Sequence, residues 1–196
     1  MKVVETDLTK AKFYHFYPCI PCVIVVKYKE KINGMTAAWN IGLSFNPPLF
    51  GVSISPNRFT YSLLKNAKEF TANFLSFDYL KTIASFGRTS GRNIDKFKNF
   101  RVETEESKFI SSPILKNAYA SYECKVVNIF NVGDHDLFVG KILAVHYDED
   151  LFEKDTKIPS VEKIKFSFYL GSDFYFTQKS FEKVKFGEEE VLKSSY

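Results

Sequence analysis

Cysteine, arginine and long apolar runs are all scarce in this sequence of 196 residues. Three cysteines are too few, and odd in number, for the disulfide framework of a small secreted protein. The longest apolar run, residues 22–26, is far shorter than the ~20 residues that a membrane-spanning helix needs. No apolar stretch follows Met1 as it does in a secretory signal. These absences predict a cytoplasmic protein without a membrane partner.

Arginine makes up only 4 of the 27 basic residues, and the 23 lysines are spread along the whole chain. Nucleic-acid binding proteins usually cluster their positive charge and favour arginine for bidentate phosphate contacts. A net charge of +4 spread in this way is typical of a solvated surface, so no nucleic-acid partner is expected. Arg58, Arg88 and Arg92 differ from the lysines because they fall within 35 residues, beside small and polar residues.

The common sequence motifs of nucleotide and metal sites are missing. There is no Gly-x-Gly-x-x-Gly turn, no Walker loop and no His-Glu-x-x-His pair. The three histidines, His15, His135 and His146, have no metal-like spacing with one another or with the cysteines. We therefore predict neither a Rossmann nucleotide site nor a bound metal.

Cys19 and Cys22 formally match the Cys-x-x-Cys redox motif, which depends on a helix N-terminus to lower the thiol pKa. Here the pair leads into a β-branched segment, with Pro18 before it and Pro21 within it, so no helix is expected there. We expect no redox role for these thiols and a core position for Cys124. A local redox function of the pair stays open as the alternative.

Aromatic residues are abundant, with 21 Phe and 11 Tyr beside a single Trp. The length fits one domain, residues 1–196, because domains usually have ~100–200 residues. Most of the Phe and Tyr alternate along predicted strands, so we expect them in a core or a subunit interface. Trp39 and Phe59 are the aromatic residues that we expect to touch a ligand.

The pattern of apolar and turn residues predicts seven or eight strands, few short helices and no βαβ rhythm. Asn33-Gly34, a strong hairpin dipeptide, predicts a turn at residues 30–34. Thr60 is the predicted N-cap of a helix over residues 60–68. The fold class is therefore mainly β, a closed or split barrel with few short helices. The other predicted elements are strands at 22–29, 35–45, 49–55, 69–77, 118–130 and 137–146, a helix at 78–85, two short strands within 165–177, and a charged tail from residue 179.

Three segments carry functional chemistry. In residues 33–40, small side chains would let a flat ligand approach the backbone, and the segment includes the single tryptophan. In residues 46–60, a strand ends in hydroxyls, an arginine and a helix N-terminus, which together suit a phosphate group. In residues 133–140, a hairpin turn presents His135.

In order and spacing these segments resemble the flavin reductase family, whose fold is the FMN-binding split barrel, over about residues 15–177. The matching motifs are Asn33-Gly34, Pro47-Pro48, Arg58-Phe59-Thr60, Asp95-Lys96-Phe97, Cys124, Gly133-Asp134-His135, Val139-Gly140 and the late segment Tyr169 to Tyr175. Cys19 and Cys22 stand where the family usually has other residues, and the many lysines and the tail are not family motifs.

The resemblance implies a homodimer that holds FMN without a covalent bond near the subunit interface. It implies hydride transfer from NADH or NADPH to flavin N5, and a monooxygenase or another acceptor for the electrons. No protein side chain is then catalytic, because the flavin carries the chemistry.

The resemblance also implies roles for individual residues. Thr36, Ala37, Ala38 and Trp39 would lie along the isoalloxazine ring, and Ser53, Ser55, Arg58 and Thr60 would hold the ribityl chain and phosphate. Ser90, Arg92 and Lys96 would make further phosphate or pyrimidine contacts, and His135 would orient the pyridine nucleotide.

Two other functions stay open. A protein of the same fold could hold FMN and receive electrons from a partner protein, as a flavoredoxin does, instead of from NAD(P)H. A barrel without flavin could use its scattered lysines as an anion-binding surface, with strongly salt-dependent affinity. The sequence distinguishes neither NADH from NADPH nor a tightly bound flavin from a diffusible one.

Overall fold

A computed structural model describes Val4, Thr6 and residues 15–180 of the chain. The predicted tail lies almost wholly outside the described residues. The strands are β1 (Cys22–Tyr28), β2 (Lys31–Ala37), β3 (Asn40–Phe45), β4 (Pro48–Ile54), β5 (Glu69–Phe74), β6 (Thr104–Glu105), β7 (Ile114–Leu115), β8 (Ala120–Asn131), β9 (Asp136–Tyr147), β10 (Phe168–Gly171) and β11 (Phe174–Phe176). The helices are α1 (Phe59–Ala67), α2 (Leu80–Arg88) and α3 (Lys96–Phe100), with short 3₁₀ turns at Phe77–Tyr79 and Glu149–Leu151.

Seven strands form one antiparallel sheet in the order β2-β1-β5-β8-β9-β4-β3. The two edge strands, β2 and β3, are consecutive in the chain and are joined by Ala38 and Trp39 alone. Three peptide steps span at most ~11 Å, so the end of β2 lies close to the start of β3 and the sheet curls into a barrel. The backbone N–H of Ser53 in β4 donates to the Trp39 carbonyl oxygen at 2.9 Å, so the β3–β4 pairing continues into this two-residue connection, the seam between the edge strands. The predicted mainly β barrel is confirmed.

Two apolar clusters hold the barrel and its helices together. The barrel interior contains alternate residues of the strands, such as Ile24, Phe70 and Phe138, which are fully buried. The opposite face of β1 packs through Val23 and Val25 against Ile83 and Phe86 of α2. A strand buried on both faces explains the uninterrupted β-branched run at the start of β1. The same packing fixes α2 beside β2, where the cavities described below lie.

The turn predicted at residues 30–34 is wrong in position. The β1–β2 hairpin turns at Lys29 and Glu30, Lys29 has the positive φ of 54°, and Tyr28 pairs with Lys31. Asn33 and Gly34 lie inside β2 and are buried. A Cβ atom on Gly34 would lie 2.7 Å from two ring carbons of Phe86. Glycine is therefore present at position 34 because α2 packs closely on β2, and not because the chain turns there.

Gly34→Ala should lower the free energy of unfolding by about 1–3 kcal/mol, because overpacking forces the Phe86 ring and α2 away from β2. Gly42→Ala is the matched control, since it also lies in a strand and its Cβ would meet nothing within 4 Å. Urea denaturation of both variants measures the difference. Equal stability of the two alanine variants would contradict the close packing at Gly34.

The predicted helix after the third long strand is confirmed as α1, but its N-cap is Arg58 and not Thr60. The Arg58 side chain makes no capping hydrogen bond. Thr60 is buried instead, and its hydroxyl accepts a hydrogen bond from Asn33 Nδ2 at 2.7 Å. This bond links the start of α1 to β2.

No helix in the described part of the chain is long and apolar enough to cross a membrane.

Candidate functional site

Two adjoining cavities lie where β2, β4, α1 and α2 meet. The larger has a volume of about 400 Å³ and the smaller about 150 Å³. Met35, Thr36, Arg58 and Gly87 line both of them. Because they share these walls, the two cavities adjoin, and together they are called the cleft below.

All the residues that the sequence proposed for a site line this cleft. Thr36 and Arg58 line both cavities, whereas the others divide between them. The larger cavity is lined by Ala37, Ala38, Trp39, Ser53, Ser55 and His135, and the smaller by Thr60, Ser90, Arg92 and Lys96. The fold thus brings together residues that are up to 99 positions apart in the sequence, from Thr36 to His135. Their contacts with a ligand stay predictions.

One wall of the larger cavity is the end of β2 and the seam that follows it. Apart from Trp39, its side chains are small, namely Thr36, Ala37 and Ala38, and the Thr36 hydroxyl is occupied, since it donates to the carbonyl oxygen of Ile83. Because β2 is an edge strand, alternate backbone N–H groups have no partner within the sheet. This wall therefore offers N–H donors and a flat surface to a ligand.

Aromatic residues also line the larger cavity. Trp39 Nε1 donates to the Tyr17 hydroxyl at 3.0 Å, and the Trp39 and His135 rings lie 4.7 Å apart. His135 Nδ1 lies 2.7 Å from Asp134 Oδ1, and this hydrogen bond lowers the pKa of Asp134. With Nδ1 donating to the carboxylate, a neutral His135 presents Nε2 as an acceptor.

The smaller cavity is strongly cationic. Arg58, Arg92 and Lys96 line it, and no acidic side chain does so among the residues that the structure describes. Arg92 donates to the Asn57 carbonyl oxygen at 2.9 Å and lies over the Phe59 ring, with 5.9 Å to the ring centroid. Three cations without a carboxylate form a site for an anion.

Lys96 is buried, which is unusual for a lysine. Its Nζ donates to the carbonyl oxygens of Gly34, at 2.8 Å, and Phe86, at 2.7 Å. Burial, and to a smaller extent the nearby Arg58 guanidinium, lower the pKa of Lys96 to about 8. An ammonium has three donors, so two carbonyl partners leave one N–H for an anion.

The start of α1 adds to this anion site. The N–H of Tyr61 donates to the Arg58 carbonyl oxygen at 3.1 Å, whereas the N–H groups of Phe59 and Thr60 have no partner inside the helix and the Arg58 side chain does not cap them. The helix dipole also favours negative charge at this end. Residues 57–60 line the smaller cavity, so these donors and the three cations serve the same space.

The β10–β11 hairpin borders the larger cavity, although no sequence motif assigned its residues to the site. Tyr169, Ser172, Asp173 and Tyr175 line the cavity, as do Tyr17, Pro21 and Arg88 from elsewhere. Asp173 forms an ion pair with Arg88. The sequence predicts the two strands of the hairpin. It does not predict where the hairpin docks, because that contact joins residues far apart in the chain. Two backbone hydrogen bonds hold the hairpin in place. The Cys19 N–H donates to the Tyr169 carbonyl oxygen at 3.2 Å, and the Tyr169 N–H donates to the Cys19 carbonyl oxygen at 2.9 Å.

Cys19 and Cys22 lie beside the cleft, yet only Pro21 of this segment lines it. Both thiols are free. Burial raises the pKa of Cys19 to about 11 and raises that of the fully buried Cys22 further. Neither thiol is therefore activated as a nucleophile. Within the described residues, no group of three or more His, Cys, Asp or Glu side chains is placed to hold a metal ion.

The cleft as a whole fits a ligand that has a flat polar ring system at one end and an anionic group at the other. Small side chains at the end of β2 border the larger cavity, and three cations border the smaller one, of which Arg58 lines both.

The chain matches known proteins in both sequence and fold. Residues 15–169 match the model of the family described as "Flavin reductase like domain". An uncharacterized protein of Archaeoglobus fulgidus is 37% identical over 171 residues, which are 86% of this chain and 93% of that protein. A crystal structure of an FMN-binding protein from Thermus thermophilus with bound 1-cyclohex-2-enone is 36% identical, with a TM-score of 0.83 over 93% of this chain and 100% of that one.

The fold also matches more distant proteins. The structure of a flavoredoxin from Methanosarcina acetivorans is 22% identical, with a TM-score of 0.83 over 98% of this chain and 99% of that one. Because the family model matches most of the chain and the fold agrees, the protein belongs to the flavin reductase like domain family and has its split-barrel fold.

Proposed function

We propose that the protein binds FMN in the two joined cavities and is an NAD(P)H-dependent flavin oxidoreductase. The observation that carries this proposal is the division of the cleft into a cavity bordered by small residues at the end of an edge strand and a second cavity lined by three cations and no carboxylate within the described residues. The FMN-binding protein of Thermus thermophilus, at 36% identity over 93% of the chain, supports the choice of ligand.

The phosphate of FMN fits the smaller cavity. A phosphate monoester carries close to two negative charges above about pH 7 and has three acceptor oxygens. Arg58 and Arg92 would supply forked donors, Lys96 would supply a buried charge, and the start of α1 would supply backbone N–H groups.

The isoalloxazine ring fits the larger cavity against the end of β2. Ala37 and Ala38 would allow close approach to the backbone, and edge-strand N–H groups would face the polar rim of the ring. Such fixed dipoles stabilise negative charge where it develops, because they need no reorganisation. Bound FMN would supply the hydride-accepting chemistry of the site.

The nicotinamide ring would bind in the same cavity beside His135. The imidazole is held by Asp134 and lies against Trp39, so its orientation is fixed. Nε2 of a neutral His135 would accept a hydrogen bond from the carboxamide of NAD(P)H. His135 is then a positioning residue that moves no proton.

His135→Ala should raise the KM for NADH about tenfold, the effect of losing one well-placed hydrogen bond, while the Kd for FMN changes little. Steady-state NADH oxidation and a fluorescence titration with FMN measure the two constants. His146→Ala is the comparison variant, because His146 bonds to Glu123 and does not line the cleft. A larger change in FMN binding than in the KM for NADH would contradict this role.

The comparison of FMN with riboflavin tests the assigned cavities. The two flavins differ only in the phosphate, so FMN should bind about 10- to 100-fold more tightly, as expected for charged hydrogen bonds. Oxidation of NADH and of NADPH in the presence of each flavin tests the enzymatic activity. Tight FMN binding without any NAD(P)H oxidation would instead identify an electron-transfer protein that a partner protein reduces.

We also propose that the protein is a homodimer. All of β3 beyond its first residue is exposed, although it carries Ile41, Leu43 and Phe45. The Phe45 side chain is fully exposed, and β8 and β9 of the same sheet expose further apolar residues such as Val127 and Val145. An exposed apolar surface of this kind marks an interface. Light scattering on the purified protein should give twice the chain mass of 22.6 kDa, and a monomer would refute the proposal.

A further inference from the structure

Arg88 and Asp173 form an ion pair at the edge of the larger cavity, one from the end of α2 and the other from the β10–β11 turn. We infer that Arg88 binds the phosphoryl groups of the pyridine dinucleotide and exchanges Asp173 for them when the dinucleotide enters. This inference rests on the proposed function, because it concerns the hydride donor of that reaction.

The cations of the cleft divide into two groups by position. Arg58, Arg92 and Lys96 line the smaller cavity. Arg58 also lines the larger cavity, and Arg88 is the one cation among the described residues that lines the larger cavity without lining the smaller. If the three clustered cations hold the FMN phosphate, Arg88 is the cation left for a second phosphorylated ligand.

The chain conformation after Gly87 separates Arg88 from the three cations of the smaller cavity. Gly87 lines both cavities, Arg88 lines the larger one, and the residues from Thr89 to Arg92 line the smaller one. Arg88 is therefore near the FMN site without being part of its phosphate cluster. Its planar guanidinium can bind phosphoryl oxygens through two parallel hydrogen bonds.

The ion pair is exposed and so can be exchanged at low cost. The Arg88 side chain is 65% exposed and that of Asp173 is 47% exposed. Ion pairs in such high-dielectric surroundings contribute little to stability. A dinucleotide that brings its own negative charge can therefore replace the carboxylate as the partner of Arg88.

Asp173 is the one acidic side chain that lines the cleft within the described residues. Its position is fixed by a tight turn, in which Gly171, Ser172 and Asp173 all have positive φ, of 92°, 48° and 68°. The carboxylate holds Arg88 at the cavity edge when no dinucleotide is bound. It also repels the phosphoryl groups that compete for the same guanidinium.

This arrangement predicts that substitutions of Arg88 and of Asp173 change the KM for NADH in opposite directions. In the FMN-loaded protein, Arg88→Gln should raise the KM for NADH about tenfold, because a charged hydrogen bond to phosphate is lost. Asp173→Asn should lower the same KM about twofold to threefold, the size of an exposed ion-pair effect. If the pair merely ties the hairpin to α2, both substitutions would act in the same direction, and that result would overturn the inference.

A hydride donor that carries no phosphate gives the decisive comparison with NADH. 1-Benzyl-1,4-dihydronicotinamide carries the reacting ring alone, so its KM should be the same in the wild-type protein and in Arg88→Gln. An equal rise in KM for this donor and for NADH would overturn the inference. Lys81→Gln is the charge-matched control, since Lys81 is exposed on the same helix and does not line either cavity. It should leave all these constants unchanged.

The KM values for NADH and NADPH, compared in the wild type and in Arg88→Gln, identify which phosphoryl group Arg88 binds. An equal rise of both KM values in Arg88→Gln indicates the shared pyrophosphate, and a larger rise for NADPH indicates its 2′-phosphate. Calorimetric binding of NAD⁺ and NADP⁺ separates this inference from the proposed function. If neither NADH nor NADPH is oxidised, the proposed function fails, yet weaker NAD⁺ or NADP⁺ binding by Arg88→Gln would still support the inference. Unchanged binding of both dinucleotides would overturn it.

Discussion

Lys96→Met should weaken FMN binding about 100-fold, which corresponds to ~3 kcal/mol for a buried charged hydrogen bond to phosphate. Lys96 is the buried cation of the smaller cavity, and its ammonium already bridges the carbonyl groups of Gly34 and Phe86. Methionine keeps the length of the side chain but removes the charge and all three donors. A titration of FMN fluorescence with each protein measures the two dissociation constants.

The same substitution separates a binding role from a structural one. In Lys96→Met the carbonyl oxygens of Gly34 and Phe86 lose their hydrogen-bond donor. This loss should also lower the free energy of unfolding of the FMN-free protein by about 1–3 kcal/mol. Lys96→Arg keeps the charge and tests the fit of the ammonium between the two carbonyl groups. If Lys96→Met unfolds at lower denaturant concentration yet binds FMN as tightly as the wild type, Lys96 holds α2 and β2 together and does not contact the phosphate.

The lowered pKa of Lys96 makes both effects depend on pH. The folded-state pKa of about 8 lies below the ordinary lysine pKa of 10.5, so between these values the unfolded chain binds the proton and the folded protein does not. The contribution of Lys96 to the free energy of unfolding therefore rises with pH across this window and is constant below about pH 8. FMN affinity should fall as the pH rises through about 8, because Lys96 loses its charge. Lys96→Met should lack this step, and an identical pH profile in both proteins would contradict the assignment.

Arg58→Ala should weaken FMN binding about 10- to 100-fold, the range for a phosphate partner that is in part exposed to solvent. Arg58 lines both cavities and precedes the first turn of α1, so it lies where the ribityl chain and phosphate would meet. Its side chain makes no capping hydrogen bond, and its loss should leave the helix and the fold intact. Equilibrium dialysis with FMN measures the change.

Riboflavin and Lys81→Ala are the controls for Arg58→Ala. Riboflavin lacks the phosphate, so its affinity should be nearly the same in the wild type and in Arg58→Ala. Lys81→Ala removes one exposed positive charge that does not line the cleft, and should leave FMN binding unchanged. An FMN affinity that does not change in Arg58→Ala would remove this arginine from the site.

The barrel could be predicted from the sequence because its strands have strong local patterns. The β-branched run of β1 and the alternating β8–β9 hairpin, with its turn before Asp136, are examples. The Asn33-Gly34 pair shows where local patterns fail. Its turn preference is real, but the ring of Phe86 against Gly34 and the buried bond from Asn33 to Thr60 hold it in a strand.

The site could be predicted in part, because its motifs lie in three segments with recognisable order. The residues from Thr36 to Trp39, and Arg58 among the cations, follow from those motifs. Arg88 and Asp173 do not, because nothing local to either residue indicates that the β10–β11 hairpin docks beside α2. The buried state of Lys96 is likewise a tertiary property, since a lysine in a charged segment is ordinarily exposed.

The absorbance spectrum of the purified protein tests the central claim most directly. After incubation with FMN and removal of free flavin, the protein should keep a visible flavin spectrum, and NADH or NADPH added without oxygen should bleach it. Riboflavin treated in the same way should be retained less. A protein that stays colourless after FMN treatment, with no flavin in the eluted fraction, would contradict the account.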